Sequence, residues 1–215
     1  GNFNFNSSGY FKNYNSNVKE TFLINDLLWK SNNFISYKGL ITNFEGNLKN
    51  LNYESQKAES LKNDNANIEI APVLSLKTSY PLKKEDSEKN QILSPTFMLR
   101  YAPLPMNNLE NENLRLTTNN LFSLNKIGNR TVENGTTLTI GVDYNYYDKN
   151  LNLNKLESSF GQVYSFSDNT HMPNQSSLDQ KTSDLVGKIK YNFSKNNSLS
   201  YNFSLDHNFT ETNYN

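Results

Sequence analysis

Residues 136–146 run Thr-Thr-Leu-Thr-Ile-Gly-Val-Asp-Tyr-Asn-Tyr. From Thr137 on, the even positions are Leu138, Ile140, Val142, Tyr144 and Tyr146, and the odd ones Thr137, Thr139, Gly141, Asp143 and Asn145. A strict period of two marks a strand with one apolar and one wet face. Strands of soluble domains average about five or six residues, whereas a tilted strand needs roughly nine to eleven to cross a bilayer. The pattern recurs. Ile68, Ile70, Pro72, Leu74, Leu76 and Tyr80 alternate with Asn67, Glu69, Ser75, Lys77 and Ser79. Leu185, Ile189, Tyr191 and Phe193 alternate with Asp184, Lys188, Lys190 and Asn192, and a further run follows over 199–209. Long two-faced strands in series predict an all-β fold: an antiparallel up-and-down transmembrane β-barrel, here a partial barrel of roughly ten strands. The parity predicts that Leu138, Ile140, Val142, Tyr144, Leu199, Tyr201, Phe203 and Leu205 face lipid. Thr139, Asp143, Ser200, Asn202 and Ser204 are then the lumen-facing residues.

Composition agrees with this reading and removes others. The chain has 215 residues, a formal net charge of +0 and no Cys. A neutral chain offers no electrostatic case for nucleic acid, and without Cys there is neither a disulfide framework nor a thiolate metal site. Hydrophobic residues make up 35% and the mean hydropathy is −0.76. No apolar run approaches the length of a spanning helix, whereas a barrel wets half of every strand. Aromatics at 13% weigh against disorder. The chain begins Gly1-Asn2-Phe3 with no leader, which reads as an internal stretch of a longer protein.

Alternation and turn signals place strands near 2–12, 19–29, 33–45, 66–80, 91–102, 135–147, 154–166, 183–194 and 197–209, with a weak one in 47–54. The first three are least regular: Phe22, Ile24 and Leu28 alternate, while Leu23, Leu27 and Trp29 fill the other face, which suits a covered interior or a bulge. Short links fall near 30–32, 148–153 and 195–196, and long ones near 46–65, 103–134 and 167–182. In an up-and-down barrel the long links then share one rim, and the short links, with the charged 83–90 segment, share the other. The 103–134 link is too long for a simple connector. It carries Leu121, Phe122, Leu124 and Ile127, so it is expected to fold back and cap the barrel mouth.

Chemistry-bearing groups are sparse. His171 and His207 have no second ligand at metal spacing, and no nucleophile-elbow, P-loop or dinucleotide fingerprint is present. Ser204 and Asp206 lie near His207 in sequence, but Ser204 and His207 have opposite parity. Lys83-Lys84-Glu85-Asp86 reads as a solvated turn. Pro72 and Pro95 each remove a ladder donor and mark a bulge, an edge or a weak point. No catalytic, cofactor or metal residue is assigned.

Five blocks, in order, resemble the barrel of the LptD family of outer-membrane lipopolysaccharide-assembly proteins. They are 71–82, 91–103, 120–144, 161–166 and 183–206. The residues carrying the resemblance are Asn120, Leu121, Phe122, Gly128, Glu133, Gly135, Gly161, Gln162, Ser183, Asp184, Leu185, Val186 and Gly187. Arg130 and Thr131 stand where the family often has an Asp-Arg pair, so a loop salt bridge from that Asp is not carried over. The resemblance implies transport without chemistry or cofactor: insertion of lipopolysaccharide into the outer leaflet of a Gram-negative outer membrane. It also implies an LptE-type plug lipoprotein in the barrel, periplasmic bridge proteins that deliver the lipid, and outer-membrane lipids around the wall. It makes residues 1–215 part of a single barrel domain, with a periplasmic domain and the closing strands elsewhere. Alternatives left open by the residues themselves are another outer-membrane barrel, a porin or receptor, and a β-sandwich adhesin.

Overall fold

The computed structural model describes residues 1–13, 18–56, 66–106, 114–167, 169, 172–208 and 211–214. Strands β1 (Asn2–Asn13), β2 (Lys19–Lys30), β4 (Ile41–Gln56), β5 (Asn67–Ser79), β7 (Lys89–Ala102), β8 (Gly135–Asp148), β9 (Leu153–Ser165), β10 (Leu185–Asn192), β11 (Ser198–Leu205) and β12 (Thr212–Tyr214) pair in chain order. Two short strands, β3 (Phe34–Ile35) and β6 (Leu82–Glu85), pair with β4 and β7 off this path. All pairings are antiparallel. The result is one up-and-down sheet, not closed on itself, and the only helical turn among the described residues is a 3-10 turn at Asn174–Ser176.

Two expected elements differ. The candidate strand 33–45 and the weak one in 47–54 form instead the two-residue β3 and the 16-residue β4, so most of the expected 46–65 loop is strand. The cause is a change of apolar face along β4. Phe44 and Leu48 lie on one side, but from residue 49 onward the buried positions are Lys49, Leu51, Tyr53 and Ser55 on the other. Strand β11 ends at Leu205, short of the expected 209, so His207 sits exposed in a turn and not in a strand. His171 lies outside the described residues.

Because neighbours alternate direction, the β4–β5, β7–β8 and β9–β10 connections share one end, here the loop end. The turns at 149–152 and 193–197 share the other, the turn end. The register drifts along the sheet. A straight row of partners runs Phe3, Trp29, Gly46, Leu74, Tyr101, Thr136. It starts beside the first residue of β1 at the turn end and leaves the sheet at the loop end of β8. Such stagger is what tilted barrel strands require.

The same rows sort side chains by face. Leu74, Tyr101, Leu99, Phe97, Leu138 and Ile140 share the outer face, where large apolar groups stay exposed, such as Leu199 at 64%. Tyr101 and Tyr164 lie toward the loop end and Tyr144, Tyr146 and Tyr191 toward the turn end, flanking an apolar belt as in outer-membrane barrels. Pro72 and Pro95 both lie on this face at ladder gaps. Beside Pro72, among the described residues, β5 has no partner on its β7 side, and Pro95 falls between the segments of β7 paired to β5 and to β6. A missing N–H is harmless there.

Candidate functional site: a capped inner face

The opposite, inner face is not an open polar wall. The described part of the β7–β8 link, residues 103–106 and 114–134, lies on it. Phe22, Ile24, Leu51, Tyr53, Ala71, Val73 and Ala102 from β2 to β7 pack with Met106 and Val132 of the link. Leu116, Leu121 and Ile127 pack on Val163 and Val186 of β9 and β10, together with Met172 and Leu178 of the next loop. Burial of these side chains, about 1.5–3 kcal/mol each, explains why β2 is apolar on both faces: Phe22 and Ile24 meet the cap, while Leu23, Leu27 and Trp29 stay outside.

Glycines on the wall make room for it. Gly141 and Gly161 are direct cross-strand partners. A Cβ on Gly161 would stand 2.3 Å from Leu121 Cδ2, and one on Gly141 2.9 Å from Phe122 Cζ. The Leu121-Phe122 tip is therefore seated on bare backbone.

Asn120 ties the cap to itself. Its Oδ1 accepts the Thr117 N–H at 2.7 Å, and its Nδ2 donates to the carbonyls of Arg115 at 2.9 Å and Lys126 at 2.6 Å. Gly128 and Gly135 adopt φ +134 and +94, where a side chain is strained.

Charges then lock cap to wall. Arg100 of β7 is fully buried. Its Nε donates to the Leu124 carbonyl at 2.6 Å, and its Nη2 donates to the Glu133 carbonyl at 2.7 Å and pairs with Glu133 Oε2 at 3.2 Å. Glu133 Oε1 accepts the backbone N–H of Lys126, and that of Ile127 at 3.2 Å. The Lys126 ammonium stands 3.9 Å from Glu133, and burial pushes it down to about 8, with Glu133 opposing and Arg100 adding to the shift. At the other edge the buried Lys49 Nζ contacts the Asp26 carboxylate at 2.7 Å and donates to the Asn129 carbonyl at 2.7 Å. Arg130 lies over the Phe22 ring, 5.4 Å from its centroid, and 3.7 Å from Glu20. Arg130 thus finds an acidic partner on the wall, although the expected loop Asp is missing.

The remaining motif residues fasten the neighbouring loop. Gln162 Nε2 donates to the Ser183 carbonyl at 2.7 Å, and Ser183 Oγ accepts the Val163 N–H at 2.9 Å. Asp184 accepts from Ser204 Oγ at 2.7 Å and Asn213 Nδ2 at 2.6 Å. Leu185 and Gly187 point outward; Val186 points inward to the cap. Phe203 covers the Cβ position of Gly187.

Thr139, Asp143, Ser200, Asn202 and Ser204 all share the capped inner face, opposite Leu138, Ile140, Val142, Tyr144, Leu199, Tyr201, Phe203 and Leu205. They do not form one site. Thr139 lies buried under the cap and Ser204 is engaged by Asp184, while Ser200 and Asn202 are exposed. Arg100 and Lys49 were missed from the sequence. Their signal is a cation at an inward strand position, flanked two residues away by buried Met98 and Leu51. Among the described residues no group of three or more His, Cys, Asp or Glu is placed to hold a metal.

Long staggered strands, an apolar belt with flanking tyrosines and a loop folded onto the inner face define a wall of an outer-membrane-type β-barrel. The chain matches the LptD family, described as LPS transport system D, over residues 29–215, and it belongs to that family. Comparison with curated proteins finds no match. The family serves lipopolysaccharide transport at the outer membrane of Gram-negative bacteria and is not an enzyme family.

Proposed function

We propose that this chain forms part of the barrel wall of the lipopolysaccharide translocon, inserting lipopolysaccharide into the outer leaflet. The whole described stretch belongs to one barrel domain. The outer face meets lipid, the inner face meets the lumen, and the loop end is extracellular. The observation that carries this reading is the cap. Residues 114–134 cover the inner face with two apolar clusters and a buried Arg100–Glu133 pair, which suits a wide lumen that must not leak. An LptE-type lipoprotein takes the uncapped remainder of the lumen, where Ser200, Asn202 and Lys190 present a polar surface, and bridge proteins deliver lipid from the periplasmic side. A general porin is less well supported, because it needs an open aqueous path where the cap lies.

The test combines topology and permeability in cells that depend on the full-length protein. The exposed Asn174, at the loop end, is expected to label from outside when changed to Cys; Asn150 and Asn196, at the turn end, are not. The further loop position Asn113 lies outside the described residues. Deleting residues 114–127 is expected to raise permeability to large antibiotics. Unchanged permeability defeats the capping role, and outside labelling of Asn150 defeats the orientation.

A further inference from the structure

Glu133 answers two cations. Its Oε2 stands 3.2 Å from Arg100 Nη2 and 3.9 Å from Lys126 Nζ, and its Oε1 is taken by the backbone N–H groups of Lys126 and Ile127. By contrast, Lys49 has Asp26, Arg130 has Glu20 and Lys30 has Glu45. Among the described residues, Arg100 and Lys126 have no second carboxylate at ion-pair distance. Two cations and one carboxylate, all buried, leave one surplus positive charge in a place closed to water. That is strongly unfavourable unless a counter-charge joins it.

Hydrogen-bond donors without partners lie in the same row. The Nε and Nη2 edge of the Arg100 guanidinium is spent on the carbonyls of Leu124 and Glu133. Its Nη1 has no partner among the described residues. Ser75 on β5 and Thr137 on β8 are the register partners of Arg100 on its two sides, and Cβ atoms so placed lie about 5 Å apart. Both hydroxyls are more than nine-tenths buried and also unpartnered, as is that of Thr139, the next inward residue of β8. Buried polar groups are nearly always satisfied, so a cluster of them left over on adjacent strands points to an occupant. Guanidinium N–H and hydroxyl O–H can all donate. What they need is an acceptor, and what the charges need is an anion.

We infer that a single small anion of the halide class binds under the cap, between Arg100 Nη1 and the Ser75 and Thr137 hydroxyls, and supplies the negative charge that Glu133 cannot supply alone. A surplus of one charge calls for a monovalent ion; divalent sulfate or phosphate would reverse the imbalance. Burial of the whole group leaves no room for an organic carboxylate. Arg100 and the two hydroxyls come from the wall, whereas Lys126 and Glu133 come with the cap. The ion therefore binds only the closed arrangement, and it lowers the open population by the factor 1 + [L]/Kd. The site is built from cap and wall alone, so it depends neither on which side of the membrane the cap faces nor on what the barrel transports.

The experiment follows amide hydrogen exchange over residues 114–134 by mass spectrometry, in the full-length protein in detergent. Chloride replaces gluconate stepwise at constant ionic strength, which holds screening fixed. The buffer stays below pH 8, where Lys126, lowered by burial to about 8, still holds its proton. With chloride at ten times its dissociation constant, exchange in the cap is expected to slow about tenfold. Bromide should act alike, and the turn at 149–152 should not respond. Ser75→Ala and Thr137→Val are each expected to raise the chloride midpoint by about tenfold, whereas Thr137→Ser keeps the hydroxyl and the midpoint. Lys126→Met, which removes the surplus charge, is expected to abolish the response with the cap still closed. Equal exchange in chloride and gluconate, a response that persists in Lys126→Met, or one shared by 149–152 overturns the site. Should Ser75→Ala or Thr137→Val not reach the heat-modifiable form, wild-type crystals soaked in bromide decide: an anomalous peak beside Arg100 Nη1 supports the site, and a map without one refutes it.

Discussion

Replacing Glu133 with Ala should release the cap from the wall. In the wild type this carboxylate meets a fully buried Arg100 and accepts two cap N–H groups, from Lys126 and Ile127. Removing one member of a buried pair strands the other charge, at about 3–5 kcal/mol. The chain escapes that cost by opening the cap and letting water reach the guanidinium. A penalty of about 4 kcal/mol corresponds to nearly a thousandfold rise in the opening equilibrium. The chain has no Cys, so Val132→Cys, at a position 1% exposed, is a unique and conservative reporter. Its maleimide labelling rate should rise by hundreds-fold or more when Glu133→Ala is added. Glu133→Gln, which keeps an oxygen for the two N–H groups, should fall between. Arg100→Met with Glu133→Met should recover only part of the protection, since the guanidinium is gone but the buried Lys126 ammonium, 3.9 Å from Glu133 in the wild type, loses its carboxylate; adding Lys126→Met should recover more. A labelling rate within about threefold of the parent would refute the lock and leave the cap held by apolar burial alone.

Gly161→Ala should destabilise by roughly 1–3 kcal/mol through overpacking, because its Cβ meets Leu121 Cδ2 and also the Ile140 carbonyl at 2.7 Å; the midpoint of the heat-modifiable gel shift reads this, and Leu121→Ala should restore only part of it. Lys126 has its ordinary value of 10.5 lowered to about 8, so the unfolded chain holds that proton more tightly than the folded one. The cost of burying the charge is then present in full below about pH 8 and relieved as the pH rises toward 10.5, so this group makes stability increase with pH in that window; Lys126→Met should remove the increase in the same melting assay. Ile140→Arg should cost about 2–4 kcal/mol in bilayer refolding if it lies near the midplane, whereas Ser200→Arg, exposed on the inner face, should be nearly neutral. Thr139 is a poor comparator because the cap buries it completely, and Arg there should be costly for steric reasons.

The strands were legible where one face stays apolar from end to end, as over 136–146, because period two is then unbroken. β4 was not, since its apolar face changes between Leu48 and Leu51: below that point outer-face groups dominate, above it the cap buries the inner side and asparagines occupy the outer one. The cap itself was legible from Leu121, Phe122, Leu124 and Ile127, which had reason to leave water. Its seating was not. Gly141 and Gly161 become a landing only once register makes them partners, and the Arg100–Glu133 pair joins residues whose sequence separation says nothing of contact.

The drift of register limits how the wall can carry a disturbance. Following hydrogen-bonded partners from Phe3 at the edge of β1, a push exits the sheet at Thr136 of β8 and never arrives at β11. The cap is fastened to both halves, with Met106 and Val132 among β2–β7 and Leu116, Leu121 and Ile127 among β9–β10. It acts as a diagonal brace. Strain applied to one half of the wall reaches the other through this strap, and loosening its fastening at Glu133 would let the two halves breathe separately.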